Sequence, residues 1–269
     1  MPTLIITHPG GAHFDEFMAI SLVLGHFSGE DFRIERRDPS EAELNNPDIW
    51  VIDIGQRHQP HLRNFDHHQD LSVGCSFTLI ADHLNLTEKM KRLYWWDFQD
   101  RLDRFGPYQM ARELKAENIH PVFSPFEAWF LTLFEDSPLL IQQVMKLFGQ
   151  AMIAEAEQLE ARLAFWETCE TRRVRGKVVL IGLTEDTSGL QEFRDRMPEP
   201  ATIAVTFDTR GEGWKLYRFN DSPDVNFTRI ATHPLITFAH KGGFIAKTDE
   251  RIPLEQLLDI AAGAVIAVS

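Results

Sequence analysis

Asp66-His67-His68-Gln69 sets a carboxylate and two adjacent imidazoles in one short stretch. Such groups are costly to bury unless a partner neutralises them. Alone, the triplet also fits a solvated loop. Its weight comes from similar groups elsewhere: His8, His13 and Asp15 before it, Asp53 between, and Asp100 after it. Carboxylates with imidazoles and no neighbouring thiolate suit Mn²⁺, with Co²⁺, Mg²⁺, Fe²⁺ and Zn²⁺ as alternatives, and disfavour a cysteine-rich zinc site. Six or more such groups together exceed what one tetrahedral ion needs. Two divalent ions sharing a bridging carboxylate fit better. A pair about 3.5–4 Å apart activates water near neutral pH and clamps an in-line displacement at phosphorus. The implied chemistry is hydrolysis of a phosphoester.

Such a cluster needs elements that bring distant residues together. Leu4-Ile5-Ile6-Thr7 is an apolar run closed by Pro9-Gly10-Gly11, which predicts a buried strand and a breaker. Asp15 and Glu16 then open a helix through Phe17, Met18, Ile20, Leu22, Val23 and Leu24. Further strands are predicted over 33–37 and 49–54, the second closed by Gly55. Strand–helix–strand alternation predicts a mainly parallel α/β sheet. Open α/β sheets bind ligands beyond the carboxyl ends of their strands. His8 falls just past the first strand, Asp53 at the end of the third, and Asp66 past the short Asn64-Phe65 segment in this reading.

Helices are predicted over 77–81 and 94–103, the latter ended by Gly106-Pro107. Ser124-Pro125 and Ser137-Pro138 each read as an N-cap with proline at the first helical position. From Ser137 to about Thr168 the stripe Ile141, Met145, Phe148, Met152, Ala156, Leu159, Leu163, Trp166 steps by three and four, giving one long amphipathic helix. Beyond it, strands are predicted over 178–181, 202–207, 214–219 and 235–238, with a hairpin turn over 208–213 and a closing helix over 253–264. The expected fold is therefore α/β. Residues 1–136 form a catalytic domain with a mainly parallel sheet and flanking helices, 137–171 a connecting helix, and 172–269 a smaller α+β substrate domain.

Composition bounds the function. The formal net charge is −13, from 40 acidic against 27 basic residues. Nucleic-acid affinity usually comes from Lys and Arg neutralising phosphates, so the acidic balance favours short anionic substrates over long duplexes. No basic-then-apolar leader and no apolar run of membrane length is visible, and Cys75 and Cys169 build no disulfide framework. The expectation is a cytoplasmic protein with no membrane partner. The oligomeric state is open, a homodimer among the options.

The segments Thr7-His8-Pro9-Gly10-Gly11-Ala12-His13-Phe14-Asp15-Glu16, Val51-Ile52-Asp53-Ile54-Gly55 and Phe65-Asp66-His67-His68-Gln69 resemble the first three motifs of the DHH phosphoesterase superfamily. They are most similar to its Myg-type branch, with THxGxFHxDE, VDVG and YDHHQ. Arg37-Asp38-Pro39 matches an RDP of that branch, and Phe238-Ala239-His240-Lys241-Gly242-Gly243-Phe244-Ile245 resembles its F-x-H-x-x-G-F-I segment. The resemblance implies that His8 and His13 hold one ion, Asp15 and His67 the other, and Asp53 both. Asp100, in a D-x-x-D string ending at Asp103, is implied as the fourth-motif ligand of the second ion, with Asp97 and Asp103 as its competitors. Asp66 is implied to orient the imidazoles, His68 to face the phosphate, and Arg37, His240, Lys241, Gly242 and Gly243 to hold the substrate.

The activity implied is that of a 3′–5′ exonuclease on short single-stranded RNA or oligonucleotides. Ala12 and Phe14 depart from the family pattern in side-chain size, and Lys241-Gly242 from its usual residues. Other readings stay open: a phosphohydrolase of pyrophosphate or a nucleotide, a metal-dependent amidohydrolase, or a non-catalytic metal-binding module. His58, His61, His83, His120 and His233 read as ordinary surface or satisfied histidines. The basic run Arg172, Arg173, Arg175, Lys177 reads first as a solvated face, and otherwise as a contact to a nucleic-acid backbone.

Overall fold

The computed structural model describes residues 2–120 and 124–266. Its contacts divide the chain into two compact units, Met1–Gln158 and Leu159–Ser269. The first unit opens with β1 (Thr3–Thr7), α1 (Phe14–His26), β2 (Phe32–Arg36), α2 (Glu41–Leu44), β3 (Trp50–Ile52), β4 (His58–Gln59) and β5 (Asn64–Phe65). The sheet order is β2-β1-β3-β5-β4, parallel throughout except for the edge strand β4. The α/β expectation with a mainly parallel sheet is met. The third strand is shorter than predicted, because Asp53 leaves extended geometry with φ 60°.

Register carries the functional information. Thr7 pairs with Ile52, and Ile52 with Phe65. The next residues are His8, Asp53 and Asp66. Parallel neighbours about 4.8 Å apart thus release these three side by side at one end of the sheet. A one-residue slip would turn every side chain to the opposite face.

Then follow α3 (Ser76–His83), α4 (Thr87–Met90), α5 (Trp96–Leu114), α6 (Pro125–Asp136) and α7 (Pro138–Glu167). Within α5, Gly106 at φ 74° and ψ 165° breaks the helix, and Pro107 restarts it. Ser124 caps α6 by accepting the Glu127 backbone N–H, as its sequence predicted. The long helix α7 begins at Pro138 as expected, and the division between the units falls within it.

The second unit holds β6 (Glu170–Val174), β7 (Lys177–Ile181), α8 (Leu190–Arg194), β8 (Ile203–Phe207), β9 (Trp214–Arg218), β10 (Phe238–Ala239), β11 (Ile245–Lys247) and α9 (Leu254–Ala262). They form a sheet ordered β10-β11-β9-β8-β7-β6. Alternation along β7 serves two cores: Val179 and Ile181 join Leu257 and Ala261 of α9 on one face, and Val178 and Leu180 join Trp166 on the other. One reading needs correction here. The strand expected over 235–238 is confined to Phe238–Ala239. In the basic run, read as a solvated face, Arg172 and Arg173 lie exposed on the edge strand β6, where Arg173 pairs with Glu199 and Arg172 with Glu170. Charged side chains on an edge protect it from adding another chain.

One close approach fixes α1 in the first unit. A Cβ on Gly149 of α7 would lie 1.7 Å from the Ser21 carbonyl oxygen, and one on Gly25 2.6 Å from the Gln150 nitrogen. The two backbones therefore touch, and no side chain fits between them. Gly149→Ala should destabilise the fold by about 2 kcal/mol despite alanine's better helix propensity. A lower urea midpoint with unchanged m-value is the expected reading.

Candidate metal centre

The carboxyl end of the sheet collects one group from each element that ends or begins there. β1 delivers His8, β3 delivers Asp53, and β5 delivers Asp66-His67-His68. The first turn of α1 supplies Asp15 and Glu16, with His13 at its N-cap. Its positive helix end suits negative charge. Asp53 adopts the left-handed region, which Asp and Asn tolerate better than other side chains. Gly55 and Gln56 follow with φ 94° and 54°, and the turn aims the Gln56 N–H at Asp66 Oδ2, 2.6 Å away.

Asp53 faces two ways. Its Oδ1 lies 3.3 Å from His67 Nε2 and accepts the Ser76 hydroxyl at 2.8 Å. Its Oδ2 lies 3.5 Å from His8 Nε2. His67 Nε2 is also 3.1 Å from Asp103 Oδ2. Asp15 accepts the Ser76 backbone N–H at the start of α3 through Oδ2. Three groups of side chains among the described residues set ligand-capable atoms within 4.8 Å of one another: His8, His13 and Asp53; Asp53, His67 and His68; His13, Asp15 and Asp103.

The fit to a cation can be tested on atoms left over. His8 Nε2, Asp15 Oδ1, Asp53 Oδ2, His67 Nδ1 and Asp103 Oδ2 are buried without a hydrogen-bond partner. Native proteins rarely leave buried polar atoms unsatisfied, and an ion is one reason they do. Charge agrees. Burial, then Asp53, Asp103 and Glu16, push the Asp15 carboxyl well above the usual range. Burial pulls the His67 imidazole down, but Asp103 and Asp53 outweigh it and carry it up to about 10. For His8, burial is likewise outweighed by Glu16 and Asp53, to about 9. Carboxylates crowd around these two imidazoles and around one another. The donor set of imidazole and carboxylate suits divalent ions of the Mn²⁺ class.

Glu16 is different, and the sequence reading gave it no role. It is fully buried, yet it takes hydrogen bonds from Thr7 Oγ1, the His13 N–H and Arg36 Nη1. Burial raises its carboxyl, while His8, Arg36 and Thr7 more than reverse this. It ties β1, β2 and α1 together beneath His8. The signal lay in Arg36, one residue before the quoted Arg37-Asp38-Pro39.

Of the other expected residues, some lie at the centre and some away from it. Asp100 is absent from the clusters; Arg104 binds both its oxygens, and Oδ1 accepts the Cys75 N–H at 2.9 Å. Asp103, one turn on, is the α5 carboxylate at the centre. Asp97 is exposed and pairs with Arg101. Asp66 holds His68, accepting its Nδ1–H at 2.7 Å and its backbone N–H at 3.0 Å, and makes no contact with His67. His68 is half exposed. Arg37 is occupied by Glu35 and Glu43. His240, Lys241, Gly242 and Gly243 form the turn between β10 and β11 in the second unit, where Gly243 has φ 72° and a Cβ would meet Asn226 Oδ1 at 2.1 Å. His240 accepts the Gly242 N–H through Nδ1.

Comparison with known proteins bears on this segment directly. Residues 4–74 match the family MYG1_exonuc. Its description is an uncharacterised protein family, UPF0160. The matched stretch contains His8, His13, Asp15, Asp53, Asp66, His67 and His68, so the resemblance to the Myg-type branch holds over it. No curated protein matches the chain. Among solved structures, the pGpG-specific phosphodiesterase PggH from Vibrio cholrae is similar at 11% identity and TM-score 0.33, over 97% of each chain. RecJ in complex with Mn²⁺ from Thermus thermophilus is similar at 11% identity and TM-score 0.27, over 97% of this chain and 51% of that one. No residue's role rests on likenesses of that size.

The Arg37 pairing has a consequence in acid. Arg37, with Ser40, lowers the Glu43 carboxyl to about 2. That lies below the unfolded range near about 4.3. The contribution is therefore complete above about pH 4.3 and is lost as pH falls through about 2. Urea unfolding of wild type and Glu43→Gln should show a stability gap at neutral pH that closes on acidification through this window.

Proposed function

We propose that the chain is a dinuclear-metal-dependent phosphodiester hydrolase acting as a 3′–5′ exonuclease on short single-stranded oligonucleotides. The observation that carries this reading is Asp53, whose two oxygens face His8 on one side and His67 on the other. That is the arrangement a carboxylate shared by two ions requires. His8, His13 and Asp53 would hold one ion, and Asp15, Asp53, His67 and Asp103 the other, with Mn²⁺ the favoured metal. Bound divalent ions supply Lewis acidity at phosphorus and an activated water.

The chain's own groups supply position. Asp66 fixes His68 through Nδ1 and leaves Nε2 toward a cavity of about 220 Å³ lined by His8, His13, Asp53, Gln56 and Asp66. His68 Nε2 binds the phosphoryl oxygens there and protonates the departing oxygen. Ser76 holds Asp53 and Asp15 in place from the start of α3, and Asp100 anchors that helix start through Cys75. Residues 1–136 are the catalytic part and 172–269 the substrate part, with His240, Lys241, Gly242 and Gly243 as its phosphate-binding turn. The net charge of −13 favours short chains, and with it a second reading as a nucleotide or pyrophosphate hydrolase.

Two experiments test this. Elemental analysis should find two ions per wild-type chain and in Asp100→Asn, about one in Asp103→Asn, and fewer than two in a folded Asp53→Asn. Retention of both ions by Asp103→Asn and loss by Asp100→Asn would return the assignment to Asp100. Incubation with Mn²⁺ and labelled oligonucleotides, pyrophosphate and cyclic dinucleotides should give stepwise shortening from the 3′ end. Phosphate release alone supports the small-substrate reading, and no turnover with tight metal sinks the enzyme.

A further inference from the structure

A second cavity, of about 240 Å³, opens against the candidate metal centre within the first unit. His13, Asp15 and Asp103 make its polar end. The rest of its wall is apolar, from Phe14, Met18, Phe77, Leu102 and Leu131. Met18, Phe77, Leu102 and Leu131 are buried, so the protein core fixes the shape of the cavity. Trp96 packs edge-on against Phe77 at 4.9 Å between ring centroids and holds that ring in place.

Three features restrict what could enter. Among the described residues no lysine or arginine lines the cavity, so a second phosphate or other anion finds no cationic side chain there beside Asp15 and Asp103. The volume suits one ring system rather than a chain of them, being smaller than a drug-sized site. Gln99, four residues before Asp103 on α5, shares its helix face and adds one hydrogen-bonding edge to an otherwise apolar wall. Ala12 lines the cavity with only a methyl group, and Phe14 forms a wall with a ring. The centre thus lies between a cavity lined by His8, His13, Asp53 and Asp66, which suits a phosphoryl group, and one walled by Phe14, Met18, Phe77, Leu102 and Leu131, which suits what the phosphoryl group carries.

We propose that this cavity seats the planar substituent of the phosphoester, a nucleobase or a ring of that size, and that Ala12, Phe14 and Gln99 determine what enters. The proposal rests on the metal-dependent hydrolase reading above. Its test is calorimetric binding of adenosine 5′-monophosphate and ribose 5-phosphate to the full, Mn²⁺-loaded chain. The two share a phosphate and differ by the base. The monophosphate should bind about tenfold tighter, the scale of one stacked base. Ala12→Phe and Gln99→Phe fill the cavity from different elements, and each should abolish that preference with metal content and circular dichroism unchanged. Equal wild-type affinities, absence of binding by either compound, or a preference surviving in both variants overturns the proposal. Dinucleotide hydrolysis, assayed separately, keeps the two readings apart. A base preference without hydrolysis supports the cavity and removes the reaction, whereas hydrolysis without a base preference removes the cavity and keeps the reaction.

Discussion

Asp15, Asp53 and Asp103 bring carboxylates from three elements to one end of the sheet, where burial and the neighbouring acids push the Asp15 carboxyl well above its usual range. Buried charge of one sign is costly, and removing a partner from it costs more than the pair ever contributes. Much of the first unit serves to hold these acids against that repulsion. Ser76 at the start of α3 binds two at once, its backbone N–H donating to Asp15 and its hydroxyl to Asp53. Glu16, by contrast, is balanced by Thr7, Arg36 and His8. One acid is neutralised to build the scaffold. The proposed function gives the other three to cations.

Much of this was legible in the sequence because parallel strands end together. Once Leu4–Thr7 and Ile49–Ile54 read as parallel strands, His8 and Asp53 had to fall at the same edge. The Thr7–Ile52–Phe65 register adds Asp66. Helix starts were equally readable, since Ser124-Pro125 and Ser137-Pro138 carry their own capping chemistry. These are local signals with short-range causes.

What was not legible depended on competition between equivalent groups. Asp100 and Asp103 sit three apart on α5, and spacing cannot say which one meets His67. Arg104 decides it by occupying Asp100 at i+4, a pairing visible in the sequence but not decisive there. Arg37 is similar: the Arg37-Asp38-Pro39 resemblance implied a hold on substrate, but Glu35 and Glu43 pair with its guanidinium. The edge strand β6 hid inside a basic run because edge strands carry charge for protection. Apolar residues over 235–237 suggested a strand, yet only Phe238 and Ala239 reach the β11 ladder.

The left-handed backbone at Asp53 restricts what evolution can place there. Glutamate would keep the charge, but its longer chain lacks aspartate's ease in that region, which costs most L-residues about 1–2 kcal/mol. Asparagine would keep the backbone and give up the charge. Glycine would relax the backbone and give up the ligand altogether. Gradual drift at this position is therefore closed, since each neighbouring substitution sacrifices either the turn or the carboxylate. A lineage that abandoned the chemistry while retaining the fold should carry asparagine or glycine at 53, leaving the rest of the sheet edge as its fossil.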